Sequence, residues 1–178
     1  KLTKNDGSAI PARIDVGESF NIKVDGAKVY FYSDNKEVAT VGKKNGLLTA
    51  VGPGSVKING VNQSTGKTIA TKTINVCLRA TSVTPSESEI YLTDIGSTAE
   101  ISVVLTPSNS TDIIRYVSDN KDVATVNMKT GVVTAEGEGT ATITIYSKRT
   151  AASSADDEGT LTATVRVTVG KFLSSVSA

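Results

Sequence analysis

The chemistry open to this chain is bounded first by what it lacks. It contains no histidine and one cysteine, Cys77. A Ser-His-Asp or Cys-His nucleophile system is therefore excluded, as is any His-ligated metal. The lone thiol is a candidate for reactivity, but Cys77 follows Ile74 and Val76 in alternation. A period of two points it outward, as an incidental small residue. Paired carboxylates can support glycoside hydrolysis, and carboxylates clustered on a loop can hold a hard cation. The densest acidic cluster is Asp156-Asp157-Glu158, in the polar segment 148–159. These three are weak calcium candidates. No EF-hand or other cage spacing surrounds them, and a solvated hairpin loop is the plainer reading. Asp34-Asn35 and Asp119-Asn120 recur in the same local sequence. Capping of a turn through backbone N–H groups two residues on explains them better than calcium does. Gly46, Gly52 and Gly54, with Gly131, Gly137 and Gly139, imitate a phosphate loop. No Lys-Ser/Thr and no helix-forming sequence follows them, so turn geometry accounts for them and no cofactor is implied.

Binding of sugars or of single-stranded nucleic acid calls for aromatic platforms. Aromatic residues are only 4% of the chain. Tyr30 and Tyr32 flank Phe31 and share the face opposite to it. They form the best candidate partner-binding patch, although a cross-strand pair on a sheet surface explains them equally well. Tyr91 and Tyr146 are further tyrosines with no such neighbour.

The elements that must position these residues are set by an internal duplication. Residues 33–58 read SDNKEVATVGKKNGLLTAVGPGSVKI and residues 118–143 read SDNKDVATVNMKTGVVTAEGEGTATI, with 15 of 26 positions identical at an offset of 85. Upstream, GESFNIKV at 17–24 answers GSTAEISV at 96–103 at an offset of 79. Downstream, TKTINV at 71–76 answers TVRVTV at 164–169 at an offset of 93. Offsets that change only between strand-like runs mark loops of different length on a shared fold. The acidic cluster falls in the eight-residue insertion of the second copy.

Within each copy the period is two. Phe20, Ile22 and Val24 alternate with polar residues, as do Ile101, Val103 and Leu105, and Val165, Val167 and Val169. Such runs place one face on a core and the other in water. Asn45-Gly46, Thr130-Gly131, Gly52-Pro53-Gly54 and Ser64-Thr65-Gly66 supply turns between them. The prediction is an all-β chain of two tandem immunoglobulin-like Greek-key β-sandwiches, residues 1–79 and 80–178, with about seven short strands each. The junction Cys77-Leu78-Arg79-Ala80 lacks the composition of a free linker, which predicts restricted, extended packing of one module on the next. Residues 170–178 read as the start of another connection.

Composition agrees. Thr, Ser, Val and Gly dominate, and apolar residues make up 38% of the 178 in short runs that suit several small cores. With one cysteine no internal disulfide pins either core. The net charge of +1 offers no global field for nucleic acid or an anionic membrane. The halves differ: through Leu78 there are 11 Lys and Arg against 6 Asp and Glu, and beyond it 8 against 12. Opposite charge would favour end-to-end stacking of modules, though drift in surface charge explains it more simply. No apolar run reaches the roughly 18 residues of a membrane span. No signal-peptide pattern opens the chain at Lys1, as expected of an excised fragment or a mature chain.

Taken in order, the motifs resemble those of the bacterial immunoglobulin-like domain, group 2. The second copy carries Tyr116-Val117-Ser118-Asp119-Asn120, Ala124-Thr125-Val126, Gly131-Val132-Val133-Thr134-Ala135 and Gly139-Thr140-Ala141-Thr142-Ile143. The first matches with Phe31, Ser33 to Asn35, Ala39 to Val41, Gly46 to Ala50 and Gly54 to Ile58. The resemblance implies that Phe31 and Tyr116 are core residues, standing where the family often has Trp. It also implies an opening strand, which the polar segment 1–12 does not display. It implies a non-catalytic structural or adhesive module pair, extracellular, on a bacterial surface protein of the intimin and invasin kind. The partners it implies are neighbouring modules of the parent chain, and a host receptor protein or a polysaccharide. The rival reading is an accessory spacer or carbohydrate-binding region of a secreted polysaccharide-degrading enzyme.

Overall fold

Alternating patterns rich in Val, Thr and Ile favour extended backbone, and every regular element among the described residues is a strand. The computed structural model describes residues 1–149 and 160–170. The chain divides into two compact units, Lys1–Arg79 and Ala80–Ala178.

The first unit contains β1 (Leu2–Lys4), β2 (Arg13–Asp15), β3 (Ser19–Val24), β4 (Val29–Ser33), β5 (Ala39–Val41), β6 (Leu47–Ala50), β7 (Gly54–Asn62) and β8 (Thr68–Cys77). One sheet has the order β1-β3-β6-β5 and the other β2-β8-β7-β4. The chain changes sheet between β4 and β5 and returns between β6 and β7, a Greek-key path. Inward residues of both sheets, among them Ile22, Leu48, Ile58 and Ile74, form one core. Each fully buried aliphatic side chain contributes about 1.5–3 kcal/mol. The polar opening segment does supply a strand: β1 pairs antiparallel with β3, Leu2 opposite Val24. Leu2 and Ile10 both enter the core. Two apolar residues so far apart leave no alternation to read, and a bridge between Thr3 and Ala9 is what folds the segment back on itself.

The second unit contains β9 (Ser82–Pro85), β10 (Glu89–Leu92), β11 (Thr98–Glu100), β12 (Val103–Thr106), β13 (Ile113–Ser118), β14 (Ala124–Val126), β15 (Val132–Ala135), β16 (Gly139–Lys148) and β17 (Leu161–Val169). One sheet runs β10-β17-β16-β13; β11-β15-β14 and the pair β12-β9 form the rest of the sandwich. The strand that answers β3 is interrupted at Ile101-Ser102, which is why the strand count exceeds that of the first unit. The duplication holds in space. Gly54 pairs with Val76 in the first unit and Gly139 with Val169 in the second, positions related by the offsets of 85 and 93. Both units also join their second strand to their last in parallel: β2 runs beside β8, with Ile14 opposite Val76, and β10 beside β17, with Ile90 opposite Val167.

One turn has the same backbone hydrogen bonds in both. Gly46 has φ +67° and Gly131 has φ +74°, a region open to glycine at little steric cost. The carbonyl of Gly46 accepts the N–H of Ile22 at 2.9 Å, and that of Gly131 accepts the N–H of Ile101 at 3.1 Å. A methyl group on Gly46 would lie 2.3 Å from the Ile22 carbonyl oxygen and 3.0 Å from the Phe31 ring. On Gly131 it would lie 2.7 Å from the Tyr116 ring and 3.0 Å from the Ile101 oxygen. Glycine and the buried aromatic are thus one packing unit.

Candidate functional site

Because β4 is the last strand of one sheet and β5 the last of the other, the edges of the two sheets leave a cleft between them. It has a volume of about 310 Å³ and is lined by Phe31, Tyr32, Ser33, Lys36, Thr40, Val41 and Lys43. Phe31 points into the core while Tyr30 is half-buried and Tyr32 is 43% exposed, so the two tyrosines occupy the outward face. The Lys43 ammonium lies 4.7 Å from the centre of the Tyr30 ring and 5.6 Å from that of Tyr32. Both distances are within reach of a cation–π attraction. The backbone holds this arrangement, since the Phe31 N–H donates to the Lys43 carbonyl at 2.9 Å.

The second unit has the same cleft at the same place, about 320 Å³, lined by Tyr116, Val117, Ser118, Lys121, Thr125, Val126 and Met128. Each of these seven stands 85 residues after its counterpart. The chemistry differs: Val117 replaces Tyr32, Met128 replaces Lys43 and Arg115 replaces Tyr30. Val117 and Met128 are 45% and 53% exposed, so this copy presents an apolar mouth. The sequence pattern pointed to Tyr30 and Tyr32 but missed Lys43 and Lys36. A signal existed in the duplication itself, because residue 43 is one of the few strand-flanking positions where the two copies differ in charge.

Tyr116 fills the place of Phe31 and is buried. Its hydroxyl donates to the Ile101 carbonyl at 3.1 Å. Burial, and secondarily the Glu100 carboxylate, raises its phenol above the ordinary value of 10.0. On the sheet surface Tyr91 donates to Glu89 at 2.5 Å, and that hydrogen bond raises its phenol as well.

The recurrent Asp-Asn pairs act on backbone. Ser33 Oγ accepts the Asn35 N–H at 3.2 Å and Asn35 Oδ1 accepts the Glu37 N–H at 3.1 Å. Asp34 Oδ1 accepts the Lys57 N–H at 2.7 Å, clamping the turn to β7. In the second unit Asp119 holds the Thr142 N–H at the same 2.7 Å. Among the described residues no group of three or more His, Cys, Asp or Glu is placed to hold a metal ion. The calcium candidates Asp156, Asp157 and Glu158 lie outside the described residues, as do residues 171–178.

Cys77 departs from expectation. It ends β8 only 8% exposed. Alternation specifies which face a side chain takes and not whether that face is covered, and here both faces of the strand end are covered. A buried thiol has little access to reagents.

Among solved structures the chain is similar to domains 4 and 5 of the surface layer protein SbsC, at 21% identity and a TM-score of 0.40, covering 96% of each chain. It is also similar to SbsC domains 1–6, at 20% identity and a TM-score of 0.41; 97% of this chain spans only 27% of that one. A third similar structure is the C-terminal 282-residue fragment of intimin, in complex with the intimin-binding domain of the translocated intimin receptor. There the identity is 18% and the TM-score 0.44, over 85% of this chain and 57% of that one. Among curated proteins, none matches the chain. The sequence profile of the bacterial Ig-like domain (group 2) matches twice, over residues 14–74 and 80–157. With both sandwiches carrying the family's ordered turn and strand motifs, the chain belongs to the bacterial Ig-like domain (group 2) family.

Proposed function

We propose that this chain is a non-catalytic pair of modules, residues 1–79 and 80–178, that carries tension and makes adhesive contacts in a bacterial cell-surface or secreted protein. The observation that carries the reading is the parallel pairing of each module's second strand with its last, β2 with β8 and β10 with β17. Tension on a module's two ends then pulls the paired strands past one another. Their ladder bonds are loaded together in shear rather than opened one at a time. The absence of histidine and the use of the Asp-Asn pairs as backbone clamps agree with a role without chemistry. The partners are neighbouring modules of the parent chain and, through the Tyr30/Tyr32 face, an extracellular ligand.

The test is the parent reading frame and a replacement within it. A secretion signal, further modules and a surface anchor are expected. Replacing the pair by a flexible linker of equal residue number should abolish adhesion by the cells that display it. A neighbouring catalytic domain, with activity indifferent to the replacement, would favour the spacer reading instead.

A further inference from the structure

The cleft of the first module holds an unusual cation. Lys43 is exposed, yet its ammonium lies over two tyrosine rings. Among the described residues no carboxylate lies within ion-pair distance of it. A lysine normally gives up much rotamer freedom when it engages a ligand; here two ring contacts already restrict the side chain. Its ammonium keeps three donors for an incoming anion. Lys36 lines the same cleft with the hydroxyls of Ser33 and Thr40. On the other side of Phe31 a second cavity, about 330 Å³, adds Lys28 and Lys44. Two carboxylates of this module are already engaged: Asp34 with the Lys57 N–H and Asp25 with Lys23.

The edge also indicates what kind of anion fits. A peptide could add as a strand only if β4 offered free backbone groups. The Phe31 N–H is taken by the Lys43 carbonyl, and the Gln63 side chain caps the Val29 carbonyl at 2.9 Å. A polymer that binds through side groups needs no ladder. The cleft, at the lower limit of ligand pockets, takes one residue of such a polymer at a time.

We propose that the cleft between β4 and β5 of the first module binds carboxylate-bearing sugars of an acidic polysaccharide, with Lys43 as the anion anchor and Tyr30 and Tyr32 as its holders. This rests on the reading of the Tyr30/Tyr32 face as a contact surface and names its ligand class. The second module, with Met128 and Val117 in the corresponding places, does not bind it and serves as an internal control.

The test is affinity electrophoresis of the whole chain through gels containing polygalacturonate, neutral dextran or poly-L-glutamate, at about the ionic strength where the screening length is 8 Å. Lys43→Met introduces the residue that the second module carries there, so the fold is kept, and a melting curve within a degree or two of the parent verifies this. Expected are retention by polygalacturonate alone, a tenfold or greater loss of affinity in Lys43→Met, and a smaller loss in Lys36→Ala. Lys67→Met, an equal charge change elsewhere on the module, should alter affinity less than twofold. Three results overturn the proposal: no retention by polygalacturonate, equal losses in Lys43→Met and Lys67→Met, or equal retention by poly-L-glutamate. If polygalacturonate is not bound while Tyr30→Ala/Tyr32→Ala abolishes cell adhesion, the ligand class is wrong and the contact surface stands.

Discussion

Replacing Gly46 by alanine tests the packing unit on which each sandwich is built. Two costs add. The residue holds φ +67°, and a left-handed conformation costs a side-chain-bearing residue about 1–2 kcal/mol. The added methyl would also stand 2.3 Å from the Ile22 carbonyl oxygen. Backbone must then shift, and overpacking of this kind costs about 1–3 kcal/mol. The sum is roughly 2–5 kcal/mol, which for a module of this size lowers the melting temperature by about 10 °C or more. Gly66 separates the two terms, since it has φ +69° but nothing within 4 Å of a new methyl. Gly66→Ala should therefore carry the conformational term alone, about 1–2 kcal/mol. The assay is urea unfolding of each variant, followed through the first module's transition. Equal destabilisation by the two substitutions would falsify the packing argument and leave conformation as the only cause. Gly131→Ala should act in the same way on the second module, and there it also disturbs the hydroxyl bond from Tyr116 to Ile101.

Other outcomes follow from single contacts. Asp34→Ala and Asp119→Ala should each destabilise their own module by about 1 kcal/mol through loss of an exposed, charge-assisted bond to backbone, with the Asn variants closer to the parent; urea midpoints check this. Tyr116 makes the second module sensitive to alkali. Its raised phenol keeps its proton in the folded state after the unfolded chain has begun to lose its own, so stability present below pH 10 declines as pH rises beyond it. Tyr116→Phe should abolish that component, seen as a flatter stability curve above pH 10. Cys77 should react with an aromatic disulfide reagent many times more slowly in the folded chain than in urea, given its burial.

The fold was legible because the signals were local and duplicated. Period-two runs such as Phe20 to Val24 became strands, and constant offsets between copies became equal strand registers. The opening strand β1 was not legible, since its pairing with β3 and the burial of Leu2 and Ile10 depend on contacts distant in sequence. Burial of Cys77 escaped for a related reason: alternation assigns faces, and coverage is a tertiary property. The candidate site was half legible. Adjacency on one strand exposed Tyr30 and Tyr32. Lys43 reaches them from beyond β5 across the gap between two sheets, a distance in sequence that no short motif records.

The measurement that bears most directly on the tension-carrying role is single-molecule pulling of the chain, compared in two geometries. Load applied between the chain ends passes through the short β1, paired with β3, and then shears β2 against β8. Load applied across Pro53→Cys and Leu78→Cys, with Cys77→Ser, instead unzips β7 from β8, because Gly54 and Val76 are paired there. Each unfolding module should release roughly 25 nm of chain in the end-to-end geometry. The parallel-strand arrangement predicts that the first module yields at distinctly higher force from its ends than across the hairpin. Equal or lower force from the ends would contradict the role assigned to the pair.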